Sequence, residues 1–176
     1  MKITPKSVFR RGAENGAFFG IYLSLFFIFT TTSLQIPLLG QIASIMAILV
    51  PVYIYFTLRK GFVENGCFYT FTEVWTHGII IFACGSLIMA TTIVAYLTWI
   101  EPSFFIKLYD ILKNTGKAES EITKMLEYAI QQNLLPSPIS FAKDIITISI
   151  FSGSILSIIL TPFVRRVSNT RNSTNQ

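Results

Sequence analysis

Four long apolar stretches alternate with polar segments along the chain. They run from about residue 16 to 34, 38 to 58, 78 to 100 and 145 to 164. Each is long enough to cross the roughly 30 Å hydrocarbon core of a bilayer, which needs about 20 helical residues. None of them contains an Asp, Glu, Lys, Arg or His residue. The pattern therefore predicts an all-α integral membrane protein, a four-helix bundle in which residues 1–176 form a single membrane domain.

The segment between the third and fourth stretches, residues 101–143, carries two shorter helical patterns. In the first, the apolar residues at helical spacing are Phe104, Phe105, Leu108, Ile111 and Leu112. In the second, positions i, i+3, i+4, i+7 and i+8 are Ile122, Met125, Leu126, Ala129 and Ile130. An amphipathic helix usually buries its apolar stripe. We therefore expect a helical hairpin that packs on itself, lies on the membrane, or offers the second stripe as a partner face.

The distribution of charge predicts the orientation of the chain. Both termini and the second loop share one side of a four-span protein. That side has nine cationic and three acidic residues, against five and six on the other side. Since Lys and Arg concentrate in cytoplasmic loops, both termini are predicted to be cytoplasmic and residues 101–143 extracytoplasmic. The polar residues 167–176 are predicted to form a flexible tail.

Composition agrees with a chain whose main surroundings are the lipid bilayer. Only 13% of the residues are charged, about half the average for soluble proteins, so much of the surface is expected to face lipid. The net charge of +5 then reflects membrane topology and contact with anionic headgroups. It does not indicate a nucleic-acid partner.

Small residues recur at every fourth position in two of the predicted spans. The ridge on the first helix comprises Gly12, Gly16, Gly20 and Ser24, and the ridge on the fourth comprises Ser149, Gly153, Ser157 and Thr161. Such ridges allow helix backbones to approach closely within a membrane. We expect both ridges to form helix–helix contacts, of which a contact between the two ridges is one case. The alternative is a homodimer seam.

One polar pair is the best candidate for chemistry. Glu73 and His77, the only histidine, lie four residues apart on one helical face, and Glu14 is the acidic residue that could join them. This spacing can hold a metal or relay a proton, although such pairs on helices are often only hydrated or bonded to each other. No nucleophile elbow, phosphate loop, HExxH, CxxC or cofactor fingerprint is present. The sequence therefore predicts no catalytic residue, no cofactor, no complete metal site and no enzymatic activity.

Several short motifs occur in a recognisable order. They are Glu14-Asn15-Gly16, Arg59-Lys60-Gly61, Phe71-Thr72-Glu73, Ile100-Glu101-Pro102 and Ser137-Pro138. With these motifs, the chain from about residue 10 to about residue 166 resembles the domain-of-unknown-function family 4199, four-helix inner-membrane proteins found mainly in Bacteroidota. The resemblance implies the fold and a location in the bacterial inner membrane. It implies no activity.

Two main classes of function remain open. Charge-free spans and packing ridges favour a non-enzymatic accessory, scaffold or lipid-associated component, with a membrane protein as a further partner. The alternative is a small transporter or channel subunit that works as a homo-oligomer. A single cavity lined by Gln41, Ser44, Thr91 and Thr92 would favour this alternative. A membrane-embedded enzyme built on the polar pair is a third hypothesis.

Overall fold

A computed structural model of the chain describes residues 7–64, 69–114, 120–132 and 134–166. The described residues form the helices α1 (Val8–Thr32), α2 (Pro37–Glu64), α3 (Phe71–Ala95), α4 (Phe104–Asn114), α5 (Glu121–Gln131) and α6 (Pro138–Arg166). Helix α3 continues into one π-helical turn, Tyr96–Ile100. The tail predicted for residues 167–176 lies outside the described residues.

Helices α1, α2, α6 and α3 with its π-helical turn are long and apolar enough to cross a membrane. The predicted all-α membrane fold is thereby confirmed. The helices are longer than the apolar stretches from which they were predicted: α1 begins at Val8 and α2 ends at Glu64. Hydropathy marks only the part of a helix that suits hydrocarbon, whereas the backbone hydrogen bonds continue into the polar flanks.

Helix α3 is the centre of the bundle, and α1 and α6 pack most extensively against it. α1 runs parallel to α3, since the ring of Phe19 lies 5.0 Å from that of Phe82, and the ring of Phe27 lies 5.6 Å from that of Tyr96. Helix α2 packs mainly on α1 and less on α6 and α3. This arrangement explains why α3 holds fully buried residues such as Ile81.

The small-residue ridge on α1 lies against α3. Its buried glycines are Gly12, Gly16 and Gly20. A Cβ added to Gly16 would lie 3.0 Å from the backbone oxygen of Ile81, so the two backbones are in close contact. At the last position of the ridge, the hydroxyl of Ser24 accepts a hydrogen bond from the hydroxyl of Thr92 at 3.0 Å.

The ridge on α6 also faces α3, and not the ridge on α1. Gly153 packs directly on the ring of Phe82, and the side chain of Ser157 packs on Gly78. Thr161 is fully buried and Ser149 is half-buried. Small residues show where a helix can approach a neighbour, but they do not specify which neighbour it is.

Helices α4 and α5 follow α3 and precede α6 in the chain. They pack against each other. Aromatic rings hold α4 to the ends of the long helices. The ring of Phe104 is buried 6.5 Å from that of Tyr96, and the ring of Phe105 lies 5.4 Å from that of Phe141 on α6. We call this side of the bundle the hairpin end, and the opposite side the terminal end.

Candidate functional site

Glu73 closes the N-terminus of α3. Its Oε2 accepts hydrogen bonds from the backbone N–H of Thr70 at 2.7 Å and from the Thr70 hydroxyl at 2.9 Å. In return, the Thr70 hydroxyl accepts a bond from the backbone N–H of Glu73 at 3.3 Å. This reciprocal arrangement is a capping box, which satisfies backbone donors that a helix start leaves unpaired. The carboxylate therefore serves the helix start, with its hydrogen bonds made to Thr70 and not to His77.

His77 lies one turn further along α3 and is fully buried. Its Nε2 lies 3.4 Å from Nδ2 of Asn15 on α1. Gly61 of α2 covers another edge of the ring, since a Cβ added there would lie 2.7 Å from Cε1 and 3.0 Å from Nδ1 of His77. Among the described residues, Nδ1 has no hydrogen-bond partner. One imidazole thus joins three helices.

Arg11 extends this contact to the last turn of α2. Its Nη1 donates to the backbone oxygen of Gly61 at 3.1 Å and lies 3.7 Å from Oε2 of Glu64. The last four carbonyls of a helix have no partner within the helix, so Arg11 satisfies one that α2 leaves open. We call Arg11, Asn15, Gly61, Glu64 and His77 the three-helix junction.

Glu14 lies outside the junction, on the exposed side of α1. Its Oε1 is 3.1 Å from Nε of Arg10. The structure therefore does not bring Glu14, Glu73 and His77 together. Within the described part of the chain, no group of three or more His, Cys, Asp and Glu side chains could hold a metal ion. The amide, imidazole and guanidinium of the junction are suited to linking helices.

Asn15 and Gly61 were not predicted from the sequence as neighbours of His77. Both residues belong to motifs that carry the family resemblance, Glu14-Asn15-Gly16 and Arg59-Lys60-Gly61. The partners are distant along the chain: Asn15 and His77 are 62 positions apart, and Arg11 and Gly61 are 50 positions apart. Spacing within one helix therefore could not reveal the junction.

A second polar cluster lies at the hairpin end, around Glu101. This carboxylate is buried, with 8% of its surface exposed. Its Oε1 accepts a bond from Nζ of Lys107 at 2.7 Å, and its Oε2 accepts one from the hydroxyl of Tyr96 at 2.8 Å. The bond from Lys107, followed by that from Tyr96, lowers the pKa of the Glu101 carboxyl below its ordinary value. Glu101 thus links the π-helical turn to α4.

This cluster should make the stability of the hairpin end depend on pH. A carboxyl whose pKa is lowered by folding contributes all its stabilisation above the ordinary pKa of 4.5 and loses it as the pH falls through the folded value. We expect the unfolding temperature to drop below pH 4.5. At pH 7, Glu101→Gln should cost about 1–2 kcal/mol, because Lys107 loses its charged acceptor while half exposed to water.

Thermal unfolding in mild detergent between pH 3 and 7 would measure both effects. The control is Asp110→Asn, which removes an exposed carboxylate from α4. The unfolding temperature should fall less steeply at acid pH in the Gln variant than in the wild type. An equally steep fall in both proteins would mean that other carboxyls control the pH dependence.

An open groove of about 810 Å³ runs along the outside of α3 and α6 near the hairpin end. Its apolar lining residues are Leu87, Ala90, Val94, Ala95, Trp99, Ile139, Ala142 and Ile146, and its polar ones are Thr91, Thr92, Thr98 and Lys143. Gln41 and Ser44, both exposed on α2, are not among them. Thr91 and Thr92 therefore line this groove without Gln41 and Ser44, so the shared cavity that would have favoured the transporter hypothesis is not found here.

Helix α5 presents an apolar face to its surroundings. Ile122 is 67% exposed, Met125 is 73% exposed and Tyr128 is 62% exposed. Tyr128 was not part of the predicted stripe. Leu126, Ala129 and Ile130, which form the stripe together with Ile122 and Met125, are half-buried. The stripe is thus divided between an inner side and an uncovered outer side.

The described fold defines an all-α membrane protein with four long apolar helices and an amphipathic helix pair before the last one. The chain belongs to the family described as "Protein of unknown function (DUF4199)", whose sequence model matches residues 14–166. The family resemblance is thereby confirmed, over a region that contains every motif on which it rests. No curated protein and no solved structure matches the chain.

Proposed function

We propose that this protein is a non-enzymatic accessory component of the bacterial inner membrane, which binds another protein through the outer side of α5. The observation that carries the proposal is the exposure of Ile122, Met125 and Tyr128 on one amphipathic helix. We call these three residues the α5 face. The excess of cationic residues at the terminal end supports an orientation with cytoplasmic termini and an extracytoplasmic α5.

The α5 face is uncovered because α4 is the main neighbour of α5 among the described elements. One helix can cover only part of a stripe of five residues, and the half-buried residues of this stripe include Leu126 and Ile130. Burying an exposed Ile or Met side chain is worth about 1.5–3 kcal/mol. Contact with a partner would therefore be favourable at Ile122 and Met125.

The charges on α5 favour a protein partner over lipid headgroups. Its charged residues are Glu121, Lys124 and Glu127, two acidic and one basic. Helices that lie on a membrane surface are typically rich in Lys and Arg on their polar face. Mixed charge around an apolar centre is instead the usual composition of a protein–protein contact.

Native mass spectrometry of the protein extracted from its own membrane in mild detergent would test the proposal. We expect a complex with a protein of different mass, in fixed stoichiometry. Changing both Ile122 and Met125 to Glu should weaken it about 100-fold or more, because two buried apolar side chains are lost from the contact. Lys124→Gln, on the polar side of α5, should change the affinity only slightly.

Two results would contradict the proposal. The first is a complex that survives unchanged in the double Glu variant, because the contact would then lie elsewhere. The second is a complex with copies of this chain alone, which would indicate a homo-oligomer and favour the transporter hypothesis. Circular dichroism of each variant shows whether helix content is preserved.

A further inference from the structure

The groove between α3 and α6 has the form of a lipid site. We propose that it binds one anionic phospholipid, with an acyl chain along its apolar wall and the phosphate beside Lys143. The inference does not depend on the proposed function of the α5 face. It concerns a different surface and a different kind of ligand.

The groove has the length of one membrane leaflet. Its lining on α3 and the π-helical turn runs from Leu87 to Trp99, which corresponds to about 18 Å at a rise of about 1.5 Å per residue. Half of a hydrocarbon core of about 30 Å is about 15 Å. The volume of about 810 Å³ also lies within the range of about 300–1,000 Å³ for small-ligand sites. An extended acyl chain therefore fits along the groove.

Small side chains create the hollow. Ala90 on α3 and Ala142 on α6 are buried in its floor, while larger residues such as Leu87 and Ile146 form its sides. No described residue fills the space between them. Because α3 and α6 both cross the membrane, the molecule that reaches an apolar hollow on their outer surface is a lipid.

Lys143 determines which lipid the groove should prefer. Among the described residues it is the only charged one that lines the groove, and no described acidic side chain forms an ion pair with it. Asp144 follows it in sequence but does not line the groove. A lysine ammonium binds phosphate as a point charge. A zwitterionic headgroup brings its own cation to that phosphate, so an uncompensated lysine favours a lipid with net negative charge.

The position of Lys143 suits a headgroup. It lies in the second turn of α6, close to the hairpin end, and shares the groove with Trp99 at the end of the π-helical turn. Trp99 is highly exposed, as expected for a tryptophan at the headgroup level of a bilayer. The end of the groove with Trp99 thus lies at the membrane surface, with Lys143 near it, and the end with Leu87 lies in the hydrocarbon.

The test uses the full chain, delipidated in mild detergent and offered equal amounts of phosphatidylglycerol and phosphatidylcholine with identical acyl chains. Native mass spectrometry should show one bound phosphatidylglycerol per chain, preferred about five-fold, as expected for one lysine near the membrane surface. Lys143→Gln should bring the preference close to one. Thr91→Phe, which fills the groove from an exposed position of α3, should reduce the binding of both lipids.

Matched variants give the controls. Lys124→Gln removes a cation outside the groove, and Thr147→Phe adds a ring at an exposed position of α6 that does not line it. Neither should change lipid binding. Equal binding of the two lipids by the wild type, or a preference that survives Lys143→Gln, would overturn the role of Lys143. Unchanged binding in Thr91→Phe would overturn the groove as the site.

The experiment separates this inference from the proposed function. The double Glu variant of Ile122 and Met125 should keep the lipid preference, since neither residue lines the groove. Lys143→Gln should likewise keep any complex formed through the α5 face. Failure of one proposal therefore leaves the other intact.

Discussion

Replacing Gly153 with alanine is expected to destabilise the packing of α6 on α3 by about 2–3 kcal/mol, the upper part of the range for an overpacked core. A Cβ at this position would overlap the ring of Phe82. That ring is buried, and the ring of Phe19 lies 5.0 Å from it in a T-shaped contact, so its room to move is small. The helices must therefore separate or the ring must leave its rotamer.

Unfolding followed by tryptophan fluorescence in mild detergent would measure this effect near its source. The indole Nε1 of Trp75 donates to the hydroxyl of Ser154 at 3.3 Å, one residue from the substitution. The control is Ser152→Ala, an exposed neighbour on the same helix, which should be nearly neutral. If Gly153→Ala costs no more than Ser152→Ala, the close contact between α6 and α3 is not present in the protein.

A second variant identifies the cause. Phe82→Leu removes the ring that the new methyl group would meet. It costs stability by itself, but Gly153→Ala should cost less in that background, with a coupling energy of about 1 kcal/mol or more. Additive effects would mean that the alanine acts through something other than Phe82.

The membrane fold could be predicted from the sequence because lipid imposes one strong requirement. A spanning segment must be apolar and must satisfy its own backbone hydrogen bonds, so four charge-free stretches lead directly to four helices. The amphipathic pair α4 and α5 was predictable in the same way, from a period that fits one helical face. Both signals are local, and each is contained within a few turns of helix.

The arrangement of the helices could not be predicted, because it depends on pairs of surfaces. From the sequence, the ridges on α1 and α6 were compatible with each other, with another helix of the bundle, or with a second copy of the chain. The structure places both on α3, which offers Gly78 to Ser157 and Gly85 to Gly20. A small residue permits close approach, and the choice of neighbour is made by the shape of the opposite helix.

The polar pair illustrates the same limit at the level of a site. Positions four apart lie on one helical face, so the prediction that Glu73 and His77 are neighbours on α3 was sound geometry. In the structure each residue contacts other groups. Glu73 caps its own helix through Thr70, and His77 contacts Asn15 and Gly61 on two other helices. Local spacing cannot rank such competing contacts.

The three-helix junction makes the second large prediction. Gly61→Ala should cost about 1–3 kcal/mol, because its methyl group would lie 2.7 Å from Cε1 of a fully buried His77. His77→Ala should cost about as much or more, since it leaves a cavity and an amide of Asn15 without its imidazole partner. Unfolding in mild detergent gives each free energy. The control is Gly40→Ala, at a half-buried position on the same helix. The new Cβ would lie 3.3 Å from Cβ of Ser33, and the change should be nearly neutral.

The double variant decides whether the junction exists. In the His77→Ala background, the methyl group at residue 61 enters space that the imidazole has vacated, so the cost of Gly61→Ala should disappear or change sign. The expected coupling is about 1–3 kcal/mol. If Gly61→Ala costs the same with and without the imidazole, then Gly61 and His77 do not touch. In that case the glycine of the Arg59-Lys60-Gly61 motif has a role unrelated to the histidine. If the coupling is found, one contact explains why α2 needs a glycine in its last turn: the only histidine of the chain occupies the place of its side chain.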